Sequence, residues 1–184
     1  MGHLTVIMGC MFAQKTTELL RLIRRYRSIG FKVLVVNYKH DTRYGEGVIA
    51  SHDLDTVPAM AVERLGDLDE ETVKGYDVVV IDEGQFFGDL YEKVTDWADN
   101  SRLQIVVSGL DGDAERRPFG DMLRLIPHAE HLLRLSSYCA VCRDGTAAHF
   151  SKKVAGDKGQ LEDVGGADKY LPVCRKHYNT QITL

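Results

Sequence analysis

Leu4-Thr5-Val6-Ile7-Met8 is a short apolar run of strand-forming residues that stops at Gly9, and Lys15-Thr16 then opens a segment in which Leu19, Leu20 and Ile23 recur at helical spacing. A buried strand that ends on glycine and feeds directly into a helix is the feature that most limits what this chain can become. Such a turn collects backbone N–H groups at the positive end of the helix, which is the setting for a bound phosphate. Within Gly9-Cys10-Met11-Phe12-Ala13-Gln14-Lys15-Thr16, the Lys15 ammonium suits the terminal phosphates and the Thr16 hydroxyl suits a magnesium shell. The full pattern asks for glycine immediately before the lysine, and Gln14 stands there instead. Glycine serves at that point because it tolerates positive φ and lets a ligand approach the backbone. Taken alone, the loop leaves a nucleotide site and an unrelated strand–helix turn equally open.

The rest of the chain repeats the alternation. Thr16 to Arg27 reads as a helix stopped near Gly30, and Lys32 to Tyr38 contains Val33-Leu34-Val35-Val36, the continuous apolar run of a strand covered on both faces. After a polar stretch from Lys39 to Thr56 come a weaker strand at Val57 to Val62, a short acidic helix at Asp67 to Val73, and the strongest strand, Tyr76 to Ile81. A helix from Leu90 to Ala98, a strand from Leu103 to Val107, a loop from Gly109 to Pro118, a helix near Gly120 to Leu125 and a strand near Leu132 to Leu135 follow. This order predicts an α/β fold with a parallel sheet flanked by helices. Composition shifts near Ser136, so residues 1–136 are expected to form the nucleotide-binding unit and 137–184 a small zinc-bound one.

Asp82-Glu83 follows the strongest strand without a break, which places two carboxylates at the carboxyl end of a central strand, where open α/β sheets bind ligands. Asp82 suits magnesium, and Glu83 suits a general base for a substrate hydroxyl. Arg43, just past the second strand, is a candidate for neutralising phosphoryl charge, with an exposed loop arginine as the plainer alternative.

Cys139 and Cys142 are spaced C-x-x-C, and Cys174 with His177 repeats the interval as C-x-x-H. Three thiolates and one imidazole make a closed tetrahedral zinc site with no position left for catalysis. The fourth cysteine, Cys10, lies in the phosphate loop and is expected only to pack there. A formal net charge of −4 over 184 residues argues against a nucleic-acid coat. The cluster Arg21, Arg24, Arg25 and Arg27 therefore reads as a solvated helix face before a polyanion site. No membrane span and no signal segment is expected, which points to a cytoplasmic protein.

Taken in order, Met11-Phe12-Ala13 with Lys15-Thr16-Thr17-Glu18-Leu19, Asp41-Thr42-Arg43-Tyr44, Ile81-Asp82-Glu83-Gly84-Gln85-Phe86-Phe87, Gly109-Leu110-Asp111-Gly112, Arg117-Pro118-Phe119-Gly120 and Gly165-Gly166-Ala167-Asp168-Lys169-Tyr170 resemble the zinc-containing, type II thymidine kinases of cells and large DNA viruses. The resemblance spans nearly the whole chain. It implies a P-loop, RecA-like domain with a zinc-bound lasso, and transfer of the ATP γ-phosphate, with magnesium, to the 5′-hydroxyl of thymidine and of deoxyuridine. It also implies a homotetramer inhibited by dTTP, with no nucleic acid or membrane partner.

By matching position, the resemblance makes Glu83 the base and Arg43 a phosphate clamp. Gly9, Met11, Phe12, Ala13, Gln14, Lys15, Thr16, Asp82 and Gln85 become nucleotide and magnesium contacts. Met11, Phe86, Leu110, Phe119 and Tyr170 become nucleoside-pocket positions, with Ser151 near a matching hydroxyl and Leu161 and Asp163 in the stretch that grips the base. The departures are Gln14, Cys10 where proline is usual, Ala114 where an aromatic is expected, and Asp163 where an apolar residue is typical. They motivate the alternative of a catalytically weakened nucleoside- or nucleotide-binding homologue with a regulatory or subunit role. A third reading, a zinc-ribbon nucleic-acid binder, is opposed by the acidic charge balance.

Overall fold

The computed structural model describes residues 1–41, 45, 47–51, 55–155 and 169–182. Its centre is a six-stranded, wholly parallel sheet, as the alternating apolar runs predict. The strands are β1 (His3–Gly9), β2 (Val33–Tyr38), β5 (Met60–Val62), β6 (Val78–Ile81), β7 (Gln104–Gly109) and β8 (His131–Leu135). Their spatial order is β5-β2-β6-β7-β1-β8, which seats the first strand between the last two. Helix α1 (Lys15–Ser28) carries the chain from β1 to β2, and α3 (Leu90–Asn100) carries it from β6 to β7.

Alternation along each strand divides the core. Leu4, Val6, Leu34, Val36, Val79, Ile81, Ile105 and Val107 pack with Leu90 and Val94 of α3 and with Val73 of α2 (Glu70–Lys74). Ile7, Val35, Val78, Val80 and Val106 pack with Leu19, Leu20 and Ile23 of α1. The β1–α1–β2 and β6–α3–β7 crossovers run in opposite directions across the sheet, so right-handed crossing places their helices on opposite faces.

Two expected elements differ. The run Val57 to Val62 divides at Ala59: β4 (Thr56–Pro58) pairs antiparallel with β3 (Val48–Ala50), and only β5 joins the main sheet. The helix expected near Gly120 is a 3-10 segment, Met122–His128, which contains Pro127. Proline supplies no N–H to an α-helical ladder, and the tighter turn accommodates it.

Beyond β8, short strands β9 (Ser137–Tyr138), β10 (Ala147–Ala148), β11 (Phe150–Lys153) and β12 (Tyr170–Val173) and helix α4 (Arg175–Asn179) gather around a core of their own, built on Cys139, Ala148 and Val173. Tyr178 on α4 donates its hydroxyl to the Ala114 carbonyl at 2.7 Å, and the Arg116 guanidinium lies 4.1 Å over the Tyr178 ring.

Candidate active site

The phosphate loop is held by its neighbours on three sides. Gly9 is required because a Cβ there would collide with the Leu135 carbonyl of β8. Ala13 is buried, and the Lys15 ammonium donates to the Cys10 carbonyl at 2.9 Å. Two bonds come from the zinc-ligand segment: the Met11 amide donates to Ser151 Oγ at 2.9 Å, and the Cys10 thiol donates to the Ala148 carbonyl at 3.4 Å. Cys10 is thus packed as expected, and burial pushes its thiol above the usual range. Gln14 adopts φ 60 and ψ 32, the left-handed conformation that glycine provides without strain. The departure visible in the sequence therefore falls on a position that does use positive φ.

Met11, Phe12, Gln14, Lys15 and Thr16 face a cleft whose open space, including its solvent mouth, is about 820 Å³. Asp82, Glu83 and Leu110 line it from the sheet side. Thr16 Oγ1 donates to Asp82 Oδ2 at 3.0 Å, so the helix start and the central strand meet as expected. Burial, then the adjacent Glu83 charge, raises the Asp82 carboxyl to about 6. Desolvation lowers the Lys15 ammonium, while the Glu83 carboxylate acts to raise it. The hydroxyl and carboxylate oxygens of Thr16 and Asp82 are the hard donors a magnesium ion takes.

Glu83 sits at φ 52, a left-handed conformation that costs a non-glycine residue about 1–3 kcal/mol. Gln85 steadies its side chain. The Gln85 amide nitrogen donates to Glu83 Oε2 at 2.6 Å, and its carbonyl accepts the Leu110 amide at 2.9 Å. Gln85 is buried, and Gly120, in the left-handed region, packs so closely on its backbone that no side chain fits there. Phe86 stacks on Tyr38 and meets the Phe119 ring edge-on, with centroids 5.3 and 5.5 Å apart. Tyr170 is buried on β12, where it pairs with Lys153. Arg43, Leu161 and Asp163 lie outside the described residues.

Further cleft residues carry no role assigned from sequence. Asn37, Asp41, Ser51 and Thr17 line it, and the β3–β4 hairpin closes one wall through Val48, Ile49 and Ala50. Asp41 opens the block that contains Arg43, which was its only signal. The basic residues of α1 do form a solvated face, in part paired: Arg21 with Glu18, and Arg24 with Asp55.

Cys139, Cys142, Cys174 and His177 offer donor atoms that all lie within 4.8 Å of one another. Cys142 Sγ and Cys174 Sγ are 3.8 Å apart, and His177 Nδ1 lies 3.5, 3.2 and 3.4 Å from Cys139, Cys142 and Cys174. A tetrahedron with Zn–S bonds of ~2.3 Å has sulfur–sulfur edges of about 3.8 Å and slightly shorter sulfur–nitrogen edges. The set fits zinc. Among the described residues, no helix is long and apolar enough to cross a membrane.

Comparison with known proteins agrees with this geometry. The family model described as "Thymidine kinase" matches residues 2–178. The thymidine kinase of Yaba monkey tumor virus (strain VR587) is 42% identical over 177 residues, covering 96% of this chain and 94% of that protein. That of rabbit fibroma virus (strain Kasza) is 42% identical over 178 residues, covering 96% of each, and that of monkeypox virus is 40% identical over 177 residues, covering 96% and 97%. With the family model spanning residues 2–178 and these relatives aligned nearly end to end, this chain belongs to the thymidine kinase family.

Proposed function

We propose that this protein transfers the γ-phosphate of ATP to the 5′-hydroxyl of thymidine, and of deoxyuridine, in the salvage of precursors for DNA synthesis. The observation that carries the reading is the convergence of Lys15, Thr16, Asp82 and Glu83 on one cleft at the carboxyl edge of the sheet. Glu83 accepts the proton of the attacking hydroxyl, and Gln85 holds the carboxylate in place for it. Lys15 and the loop amides hold the phosphates and offset the charge that spreads over the transferring group. A magnesium ion, when bound, neutralises phosphate charge, and Asp82 and Thr16 are the residues that would hold it. Arg43 acts as a clamp on the phosphates.

Phe86, Phe119, Leu110, Met11 and Tyr170 form the nucleoside pocket, with Ser151, Leu161 and Asp163 toward the base. Residues 1–136 make the catalytic unit and 137–184 a lasso unit anchored by zinc, a division supported by the separate core around Cys139 and Val173. Work in the cytoplasm as a homotetramer under dTTP inhibition rests on the family resemblance.

A coupled assay of ATP consumption with thymidine, magnesium and zinc tests the reading. Turnover is expected; bound thymidine without turnover would overturn it. Glu83→Gln should abolish turnover while thymidine affinity stays within about tenfold, since the carboxylate acts on the hydroxyl proton. The strained Gln14 favours a second reading, a catalytically weakened homologue with a regulatory or subunit role. A large gain in rate for Gln14→Gly would support it.

A further inference from the structure

Asn37 lies in β2 one residue beyond the Val36–Ile81 register pair, and Asp82 holds the corresponding place after β6. Adjacent strands lie about 4.8 Å apart, so the two residues are immediate neighbours. Val35 and Val80 enter the core on the α1 side, whereas Val36 and Ile81 enter the opposite one. Alternation then puts Asn37 and Asp82 on the α1 side together, in agreement with the Thr16–Asp82 hydrogen bond. Asn37 lines the cleft beside Thr16, Asp41 and Asp82 and is only 4% exposed.

The orientation of its amide follows from its neighbour. Asn37 Nδ2 faces the Val48 carbonyl at 3.5 Å, an acceptor that the Asn37 oxygen would repel. Oδ1 is therefore turned away from Val48, and among the described residues it has no hydrogen-bond partner. A buried carbonyl without a donor is destabilising, and a bound ligand recovers that loss by supplying one. Magnesium is a ready source of donors at this place, because it keeps several waters when held by one or two carboxylates and a nucleotide.

We propose that Asn37 Oδ1 accepts a hydrogen bond from a water of the magnesium–nucleotide complex held at Asp82 and Thr16, making Asn37 a positioning residue for the cation. The inference rests on the phosphoryl-transfer reading of the cleft. It separates the two ends of one side chain: Nδ2 tethers the β3–β4 hairpin, and Oδ1 serves the metal.

The test uses the zinc-loaded full chain with Mn²⁺ as the probe, titrated by electron paramagnetic resonance in the presence of the β,γ-imido analogue of ATP. Asn37→Ala should weaken Mn²⁺ binding about tenfold or more, as removal of an outer-shell partner does. Asn37→Asp keeps an oxygen and should hold Mn²⁺ at least as tightly as the wild type, although both variants lose the Val48 tether and melt at similar, lower temperatures. Mn²⁺ binding by Asn37→Ala within about twofold of the wild type would overturn the proposal, as would equal weakening in Asn37→Asp. Thymidine binding without nucleotide or metal should be unchanged in Asn37→Ala; its loss would assign Oδ1 to the nucleoside and overturn the cation role. A wild-type chain that phosphorylates thymidine while the Asn37 variants fail these criteria leaves the kinase reading intact, so the two failures are distinguishable.

Discussion

Ser151 Oγ accepts the Met11 backbone amide at 2.9 Å, joining β11 to the phosphate loop across 140 positions of sequence. The loop is consequently shaped in part by residues that follow the first zinc-ligand pair. Ser151→Ala leaves a part-buried N–H without its acceptor, a loss of about 1 kcal/mol. Its KM for ATP should rise about fivefold with zinc content unchanged, as read by steady-state kinetics and metal analysis.

Chelation of zinc should act on the same contact. Once Cys139, Cys142, Cys174 and His177 lose their common ligand, the segment carrying Ala148 and Ser151 loses its anchor. Binding of nucleotide and of thymidine should fall while far-ultraviolet circular dichroism still reports an intact sheet. Simultaneous loss of binding and of secondary structure would contradict this.

Gln14 supplies a stability prediction with opposite signs. Gln14→Gly relieves the left-handed strain and should raise the thermal midpoint by about 2 °C, net of the chain entropy that glycine adds. Gln14→Val places a β-branched residue at the same φ and should lose at least about 1 kcal/mol. Calorimetry on the pair reads both.

Gln85→Leu keeps the volume but removes the donor to Glu83 and the acceptor for the Leu110 amide. The expected result is a kcat reduced about tenfold or more with a smaller change in thymidine KM, because the carboxylate is displaced and the pocket largely kept.

Asp82 predicts a pH dependence. Its folded-state value of about 6 lies above the ordinary 3.8, so the folded protein binds this proton more tightly than the unfolded chain. The resulting stabilisation is complete below pH 3.8 and is lost as pH rises through about 6, amounting to about 3 kcal/mol at most. In magnesium-free buffer, urea midpoints of the wild type should fall relative to those of Asp82→Asn across that window. Turnover should run the other way, declining in acid as protons compete with magnesium for the carboxylate, with a midpoint below that of the metal-free protein because the cation favours the ionised form.

Long, uninterrupted apolar runs make the main sheet legible in the sequence alone. Val33-Leu34-Val35-Val36 and Val78-Val79-Val80-Ile81 have room for no other reading once helical spacing separates them. The β3–β4 hairpin stayed hidden because three-residue strands carry no period, and β5 was fused with β4 because only Ala59 divides them. In the cleft, Lys15, Thr16, Asp82 and Glu83 declared themselves by position at the ends of elements. Asn37 did not, since one amide near the end of an apolar strand has no spacing to betray it. The link from Ser151 to Met11 was equally silent, being a tertiary contact between segments with no shared motif.

The seating of β1 between β7 and β8 bears on how the molecule is made. Its register partners are Gln104 to Gly109 on one side and His131 to Leu135 on the other. During synthesis this largely apolar strand leaves the ribosome before either of its partners and remains unpaired until β7 has been translated. Fragments ending before residue 104 would display it to other chains as an open template for aggregation.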